Sequence, residues 1–460
     1  MRAMKYPTAG SEGWVGPLLG LLVAAGLLTG GCSPASTSSP LDPQPPSSNA
    51  SGGSSASGGS TAPTGKPDPG TGGSNGSGGA AGSGPVGGPG PAPDASADAP
   101  PAGPPPAPAP GWWDAKWQHR AQISINDPET KEALTDFQVG VKLDPAIFDF
   151  KAAKPAGEDL RFVGGDGQVL HHQIDTWDPA GALVWLRLPS LAPGAATSVW
   201  LYYGNPDAPA PEDPATEATS TWPAPYQGVW HLSGDGKDGT ANHFDGADMV
   251  GGNFGEAKFG KGLTLDGSKR EHITLKADIK ILAGATGCTF SAWIKPTKPE
   301  NSINGMIIMT LGKWFNNNHN SYADFNVNAA GQMISHVDPG TNMAASGYAR
   351  ILSDPGFIKA DEWSWVTYVI DLASDEERFF KNGMLISTKK PPNGKFSAAS
   401  FIDMVSTRVV IGAEEDVVSH WWTGSMDELR IEKGLRTPAW IAAQYRAMTA
   451  PAFVVVSKDR

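Results

Sequence analysis

Three groups of side chains in this sequence have types and spacings that suit chemistry. The first is Glu414-Glu415-Asp416, with Ser419 close behind. Paired carboxylates do general acid and nucleophile work only when they share one face of an element. Here the triplet follows Gly412 instead of lying inside an apolar strand, so it reads as an exposed loop. The second group is a set of hard oxygen donors, Asp235, Asp238, Asn242 and Asp245, in the Asp/Gly-rich stretch Ser233 to Gly246. Asp427, far along the chain, falls in register with the apolar residues Leu429 and Ile431. A carboxylate facing inward must be paired, hydrogen-bonded or metal-bound. Calcium takes such oxygens, and Asp238, Asn242 and Asp427 are the expected ligands of a structural Ca2+. The alternative is that Asp427 accepts backbone N–H groups from that loop. The third group mixes amides and aromatics in Lys313 to Tyr322. Trp314, Asn316, Asn317 and His319, with Trp421 elsewhere, are expected to bind a glycan, because amides bond hydroxyls and aromatic faces stack on sugar rings. The plainer reading is an Asn-rich turn with Trp314 closing an edge. Beyond the Gly/Ser-rich segment, where Gly72-Gly73-Ser74-Asn75-Gly76 fits by composition alone, the chain has no Gly-x-Ser-x-Gly, no zinc motif and no phosphate-cradling glycine loop opening a helix, and His171 and His172 are adjacent, so in a strand they face opposite ways.

The elements that must position these groups are mostly strands. Near the end, Asp427, Leu429 and Ile431 alternate with Glu428, Arg430 and Glu432, whose alternating charges suit a solvated face. Thr437 and Pro438 then read as a helix cap and first turn, with Trp440, Ile441 and Gln444 at helical spacing, and Ala452 to Ser457 as a last strand. Upstream, Ala121-Ile123-Ile125 and Phe137-Val139-Val141-Leu143 alternate with polar residues as half-buried strands. Asp159 to Asp175 is a hairpin around Gly164-Gly165-Asp166-Gly167. Leu183 to Leu188 and Ser198 to Tyr203 are further strands. Trp363 to Leu372 is apolar on both faces, which marks an inner strand. Asn382-Gly383 is a strong hairpin turn. Cys288 shares parity with Phe290, Ala292 and Ile294 and is expected to be buried and inert.

With 460 residues, 57 glycines and 41 prolines, the chain exceeds one compact domain and carries a biased segment. A net charge of −12 argues against phosphate-mediated nucleic-acid binding. Arg2 and Lys5 precede an apolar run, Trp14 to Leu28, too short to span a bilayer comfortably, and Thr29-Gly30-Gly31-Cys32 follows. Ser33 to Pro110 is Gly/Ser-rich and then Pro/Ala-rich. It lacks apolar residues to offset the entropy of folding and is expected to be a disordered linker, with a coil span on the order of 50 Å.

These stretches resemble known families. The signal region resembles the lipobox of bacterial lipoproteins, with Thr29 standing where that family prefers Leu; the resemblance implies acylation at Cys32, the alternative being an ordinary signal peptide. Trp117-x-x-Arg120, Asp159-Leu160-Arg161-Phe162, Val184-Trp185-Leu186 and Leu201-Tyr202-Tyr203-Gly204-Asn205 resemble a bacterial and archaeal surface domain of unknown function, number 2341. No catalytic residues are known for that domain, and it occurs beside proton-driven transport proteins of the ExbB/TolQ type. Lys261 to Gly267, Cys288 to Lys295 and Gly424 to Ile431 resemble the laminin-G-like, concanavalin A-like jelly roll. That resemblance places Trp422 in the core and leaves Trp421 freer. Glycosidases of that fold carry Glu-x-Asp-x-x-Glu on one strand, and Ser419 replaces the third acid here. The expected architecture is all-β: a signal peptide (1–32), a linker (33–110), and two antiparallel β-sandwich domains (111–210 and 225–450), the second a jelly roll. The expected function is a non-catalytic, lipid-anchored protein of the cell envelope that binds a glycan or an extracellular partner protein. The alternatives are an accessory subunit of an envelope transport assembly and a glycoside hydrolase.

Overall fold

A computed structural model describes residues 111–458 except 210–213, 277–279, 298, 300, 301, 303, 313–320, 340–348 and 402–408. The described chain is almost entirely antiparallel β, as its alternating patterns predict, with two α-helices, Pro214–Ser220 and Pro438–Thr449. No described helix is long and apolar enough to cross a membrane.

The first sandwich pairs a five-stranded sheet with a three-stranded one. In the larger sheet His119–Ile125 lies between Thr197–Tyr203 and the C-terminal strand Val454–Val456. The smaller sheet is Leu134–Leu143, Gly181–Leu191 and His172–Asp178. Ile123, Ile125, Phe137, Val139, Val141 and Leu201 meet between them. Tyr203 joins that core while Tyr202 packs in a separate cluster with Trp117, as their opposite parity requires.

The chain's last elements complete this first sandwich. Trp440, Ala443, Ala447 and Phe453 sit in the same core as Phe137 and Val139. The helix that carries them begins as the sequence predicts: Thr437 Oγ1 accepts from Trp440 N at 3.1 Å, and Pro438 occupies the first turn. Arg446 then donates to both oxygens of Asp127, at 2.9 and 2.6 Å. Burial opposes the Asp127 charge, but Arg446 outweighs it and holds the carboxyl below its usual range.

The second sandwich faces an eight-stranded sheet against a seven-stranded one. Phe290, Ile294, Phe325, Tyr368, Leu429 and Ile431 fill the space between them. Ser364–Asp371 is an inner strand, between Gly287–Pro296 and Glu376–Lys381. The Asn382-Gly383 turn has φ of 52° and 80° at its two residues, the left-handed pair a tight hairpin needs. Cys288 is buried, and burial pushes its thiol far above the usual range.

The closing strand Gly424–Lys433 departs from expectation. It pairs with Gly287–Pro296, Lys261–Leu265 and Tyr226–Trp230. Its register against Gly287–Pro296 shifts between Ser291 and Trp293, and Glu428 sits at φ 53°. This is a β-bulge, which adds a residue and resets the faces. Opposed residues share a face, so Asp427, opposite Trp293, leaves the side of Leu429 and Ile431 and joins that of Arg430. That side is not solvated either. Glu428 and Arg430 are 0% exposed and Glu432 is 1% exposed. The first sandwich covers them, through a seam built from Leu183, Trp185, Trp222, Tyr226, Phe259, Trp293 and Trp365.

Candidate functional site

Two polar concavities stand out. One lies on the outer face of the seven-stranded sheet. On Tyr322–Val327, Ala323, Phe325 and Val327 point into the core, so Tyr322, Asp324 and Asn326 line the other face. The next strand, Met333–Asp338, sets His336 opposite Asp324. Together with Asn304, Ile307 and the loop residues Glu414, Asp416, Ser419 and His420, they enclose a cavity of about 320 Å3.

Asp324 organises the floor. Its carboxylate accepts from Tyr322 OH (2.7 Å), Asn326 Nδ2 (3.0 Å), the His336 backbone N–H (2.9 Å) and His336 Nδ1 (2.9 Å). Burial first, then the charges of Asp324 and Glu415, hold the Tyr322 hydroxyl well above its ordinary pKa, so it stays a donor. At the rim, Glu414 Oε2 accepts from Ser419 Oγ, Asp416 Oδ1 from Val418 N (3.0 Å), and His420 Nδ1 meets Gly305 O (3.0 Å). The Glu414-Glu415-Asp416 loop is therefore not simply exposed, as expected from sequence: Glu415 is buried, and its two neighbours line the cavity.

The second concavity, about 450 Å3, opens along the seam between the sandwiches, beside Asp175, His231 and the 233–246 loop. At its base His231 Nδ1 donates to Glu428 Oε1 at 2.7 Å, and Arg430 Nη2 to Glu428 Oε2 at 2.8 Å. Burial opposes charge on both His231 and Glu428. Their mutual attraction outweighs it, raising the imidazole pKa and lowering the carboxyl pKa. Asp175, His231 and Glu428 are the one described His/carboxylate trio with ligand atoms all within 4.8 Å of one another. His231 and Arg430 already balance Glu428 there, so an ion is not needed to hold it.

Among the residues singled out from sequence, Asp238 ties its own loop to the strand Tyr226–Trp230. Its oxygens accept from Val229 N, Thr240 N, Thr240 Oγ1 and Phe244 N at 2.8–2.9 Å. Asn242 Nδ2 donates to Gln227 O at 2.9 Å. Asp427 Oδ2 accepts from Phe259 N at 2.6 Å, and Asp427 faces the first sandwich. The three do not form a cage that fits calcium: the Asp238 oxygens already face donors, and no described contact joins Asp427 to the other two. Asp238→Ala should therefore lower stability by about 3 kcal/mol by orphaning buried donors, equally with calcium or with a chelator, as read by urea unfolding.

Cys32, Trp314, Asn316, Asn317 and His319 lie outside the described residues. Trp421 is half-buried, its ring 5.5 Å from that of His272, and it does not line the sheet-face cavity, whereas its neighbour His420 does. Trp422 is fully buried, as expected. Of the floor residues, Tyr322 entered the sequence reading only as the end of the Lys313–Tyr322 group, and Asp324, Asn326 and His336 were not singled out. The signal was the polar–apolar alternation of Tyr322 to Val327.

Residues 266–442 match the sequence model of the concanavalin A-like lectin/glucanases superfamily, and residues 156–248 that of a domain of unknown function (DUF2341). The chain thus carries the two segments in the order its motifs imply. No curated protein matches. Among solved structures, domain 4 of AbnA, a GH43 extracellular arabinanase from Geobacillus stearothermophilus, in complex with arabinotriose, is similar at 14% identity. That match covers 48% of this chain and 98% of the other, with a TM-score of 0.37. The CBM40 of the Ruminococcus gnavus IT-sialidase, bound to α2,3-sialyllactose, is 17% identical over 43% of this chain and 98% of its own, at a TM-score of 0.29. The binding domain of botulinum neurotoxin serotype D is 15% identical, with 50% and 52% covered and a TM-score of 0.35, so the chain spans about half of that structure.

Proposed function

We propose that this is a non-catalytic binding protein of the bacterial envelope, held by acylated Cys32 and raised on the 33–110 linker, with a glycan as its ligand. The sheet-face cavity is the binding site. The observation that carries this reading is the fixed polar floor, in which one carboxylate locks a tyrosine, an amide and an imidazole in place. Preorganised polar groups on a rigid sheet suit saccharide hydroxyls, since little ordering remains to be done on binding.

The arrangement favours binding over catalysis. Asp324 is engaged by four hydrogen bonds, and Glu414 and Asp416 come from a loop, not from one strand with it. Two-carboxylate hydrolysis needs an acid and a base free to move protons.

The mature chain should be screened on an immobilised polysaccharide panel, beside Asn326→Ala. Retention of at least one glycan, weakened about tenfold or more by the variant, is expected. No retention across neutral, amino and acidic glycans would remove the reading. Release of reducing ends by the wild type, lost in Glu414→Gln, would replace it with a hydrolase.

A further inference from the structure

We infer that the sheet-face cavity selects a saccharide bearing free, positively charged amines, an amino-sugar polymer that is not fully acetylated. This rests on the glycan reading and deepens it. The first observation is the cavity's charge. Its described lining holds three carboxylates, Asp324, Glu414 and Asp416, against two histidines, His336 paired with Asp324 and His420 beside Gly305 O, and no lysine or arginine. A uronate or sulfated sugar would meet like charges, which costs several kcal/mol in a partly desolvated site. An ammonium group would meet opposite charge and bring three hydrogen-bond donors.

The second observation is independent of charge. Asn326 is 0% exposed and lines the cavity; its Nδ2 donates to Asp324, and its Oδ1 has no partner. A buried acceptor left unpaired costs about 1–3 kcal/mol. A donor supplied by a ligand removes that cost, and the floor has Tyr322 and His336 turned toward Asp324, so neither supplies it.

A chelated metal ion fits less well. The described trio that converges tightly enough for one ion is Asp175, His231 and Glu428 at the seam, and no such trio lies among the described residues of this cavity. Its acids spread a negative field over a space large enough for a short saccharide, near the lower end of small-ligand sites.

The test uses the full mature chain and calorimetric titration at pH 6 with matched oligomers: glucosamine, N-acetylglucosamine and a uronic acid, plus oligolysine of equal charge. The glucosamine oligomer is expected to bind about tenfold tighter than its acetylated counterpart, with the advantage shrinking at high salt and at pH 9, where the amine is neutral. Glu414→Gln with Asp416→Asn should bring the two affinities together. Equal or tighter binding of the acetylated or acidic oligomer would overturn this inference and keep the glycan reading. Binding of none would overturn both. Oligolysine binding as tightly as the amino sugar would show that charge alone is read, and would overturn the saccharide class.

Discussion

Arg430→Met should destabilise the protein by about 3–5 kcal/mol, the usual cost of leaving a buried charge without its partner. Arg430 is fully buried at the seam. Its guanidinium donates to Glu428 at 2.8 Å and lies 4.5 Å from the Trp185 ring centre and 4.9 Å from that of Trp222. Those rings come from the first sandwich and from the joint, so one side chain ties three segments together. Its Nε and Nη1 have no hydrogen-bond partner, which leaves the aromatic faces as their surroundings. Methionine keeps the length and polarisable contact but removes the charge, and Glu428 is then left with His231 alone. Adding Glu428→Gln to the variant should restore more than half of the loss, because both charges are then gone. Urea unfolding of wild type, both single variants and the double variant measures this. Additive effects would show that the two residues act separately.

Glu377→Gln should stabilise the protein, and only at neutral to alkaline pH. Glu377 is fully buried inside the second sandwich, where Ser335 Oγ donates to it at 2.5 Å and its other oxygen has no partner. Burial, with a smaller contribution from Asp324, pushes its carboxyl up to about 8. A carboxyl raised in the folded state binds its proton more tightly there than in the unfolded chain. Its contribution is therefore fully present below the unfolded pKa of about 4.5 and is lost as pH rises through about 8. At roughly 1.4 kcal/mol per pH unit, the loss across that window is on the order of 5 kcal/mol. The amide cannot ionise, so the gap between variant and wild type should be small at pH 4.5 and widest at pH 9. Unfolding midpoints at the two pH values decide it, and a gap independent of pH would show that Glu377 is not the titrating group.

Strand positions, the Thr437–Pro438 helix start and the Asn382–Gly383 turn were legible because each depends on local periodicity or backbone preference. The bulge at Glu428 was not. It places a glutamate at positive φ, where composition leads one to look for glycine or asparagine. Without that extra residue, Asp427 counts as inward and Glu428-Arg430-Glu432 as a solvated stripe of alternating charge. Only the first sandwich lying against that face makes the stripe a buried network, and no local pattern reveals a covering domain. The sheet-face cavity was half legible. Tyr322, Asp324 and Asn326 alternate visibly with Ala323, Phe325 and Val327, but His336 and Glu414 arrive through pairing and loop return. Glu377, next to Glu376 and ahead of a hairpin, has the look of turn charge, whereas its parity with Phe379 sends it inward.

Val454–Val456 supplies an edge of the sheet that begins at His119, and Trp440 with Phe453 fills the space beneath it. During synthesis the sandwich begun at His119 therefore waits for residues made after the jelly roll. The N-terminal half stays open on one flank throughout synthesis of the intervening jelly roll. Chaperone demand should be set by that wait, and a stop codon shortly before Thr437 would expose aliphatic surface about three hundred residues upstream of the lesion.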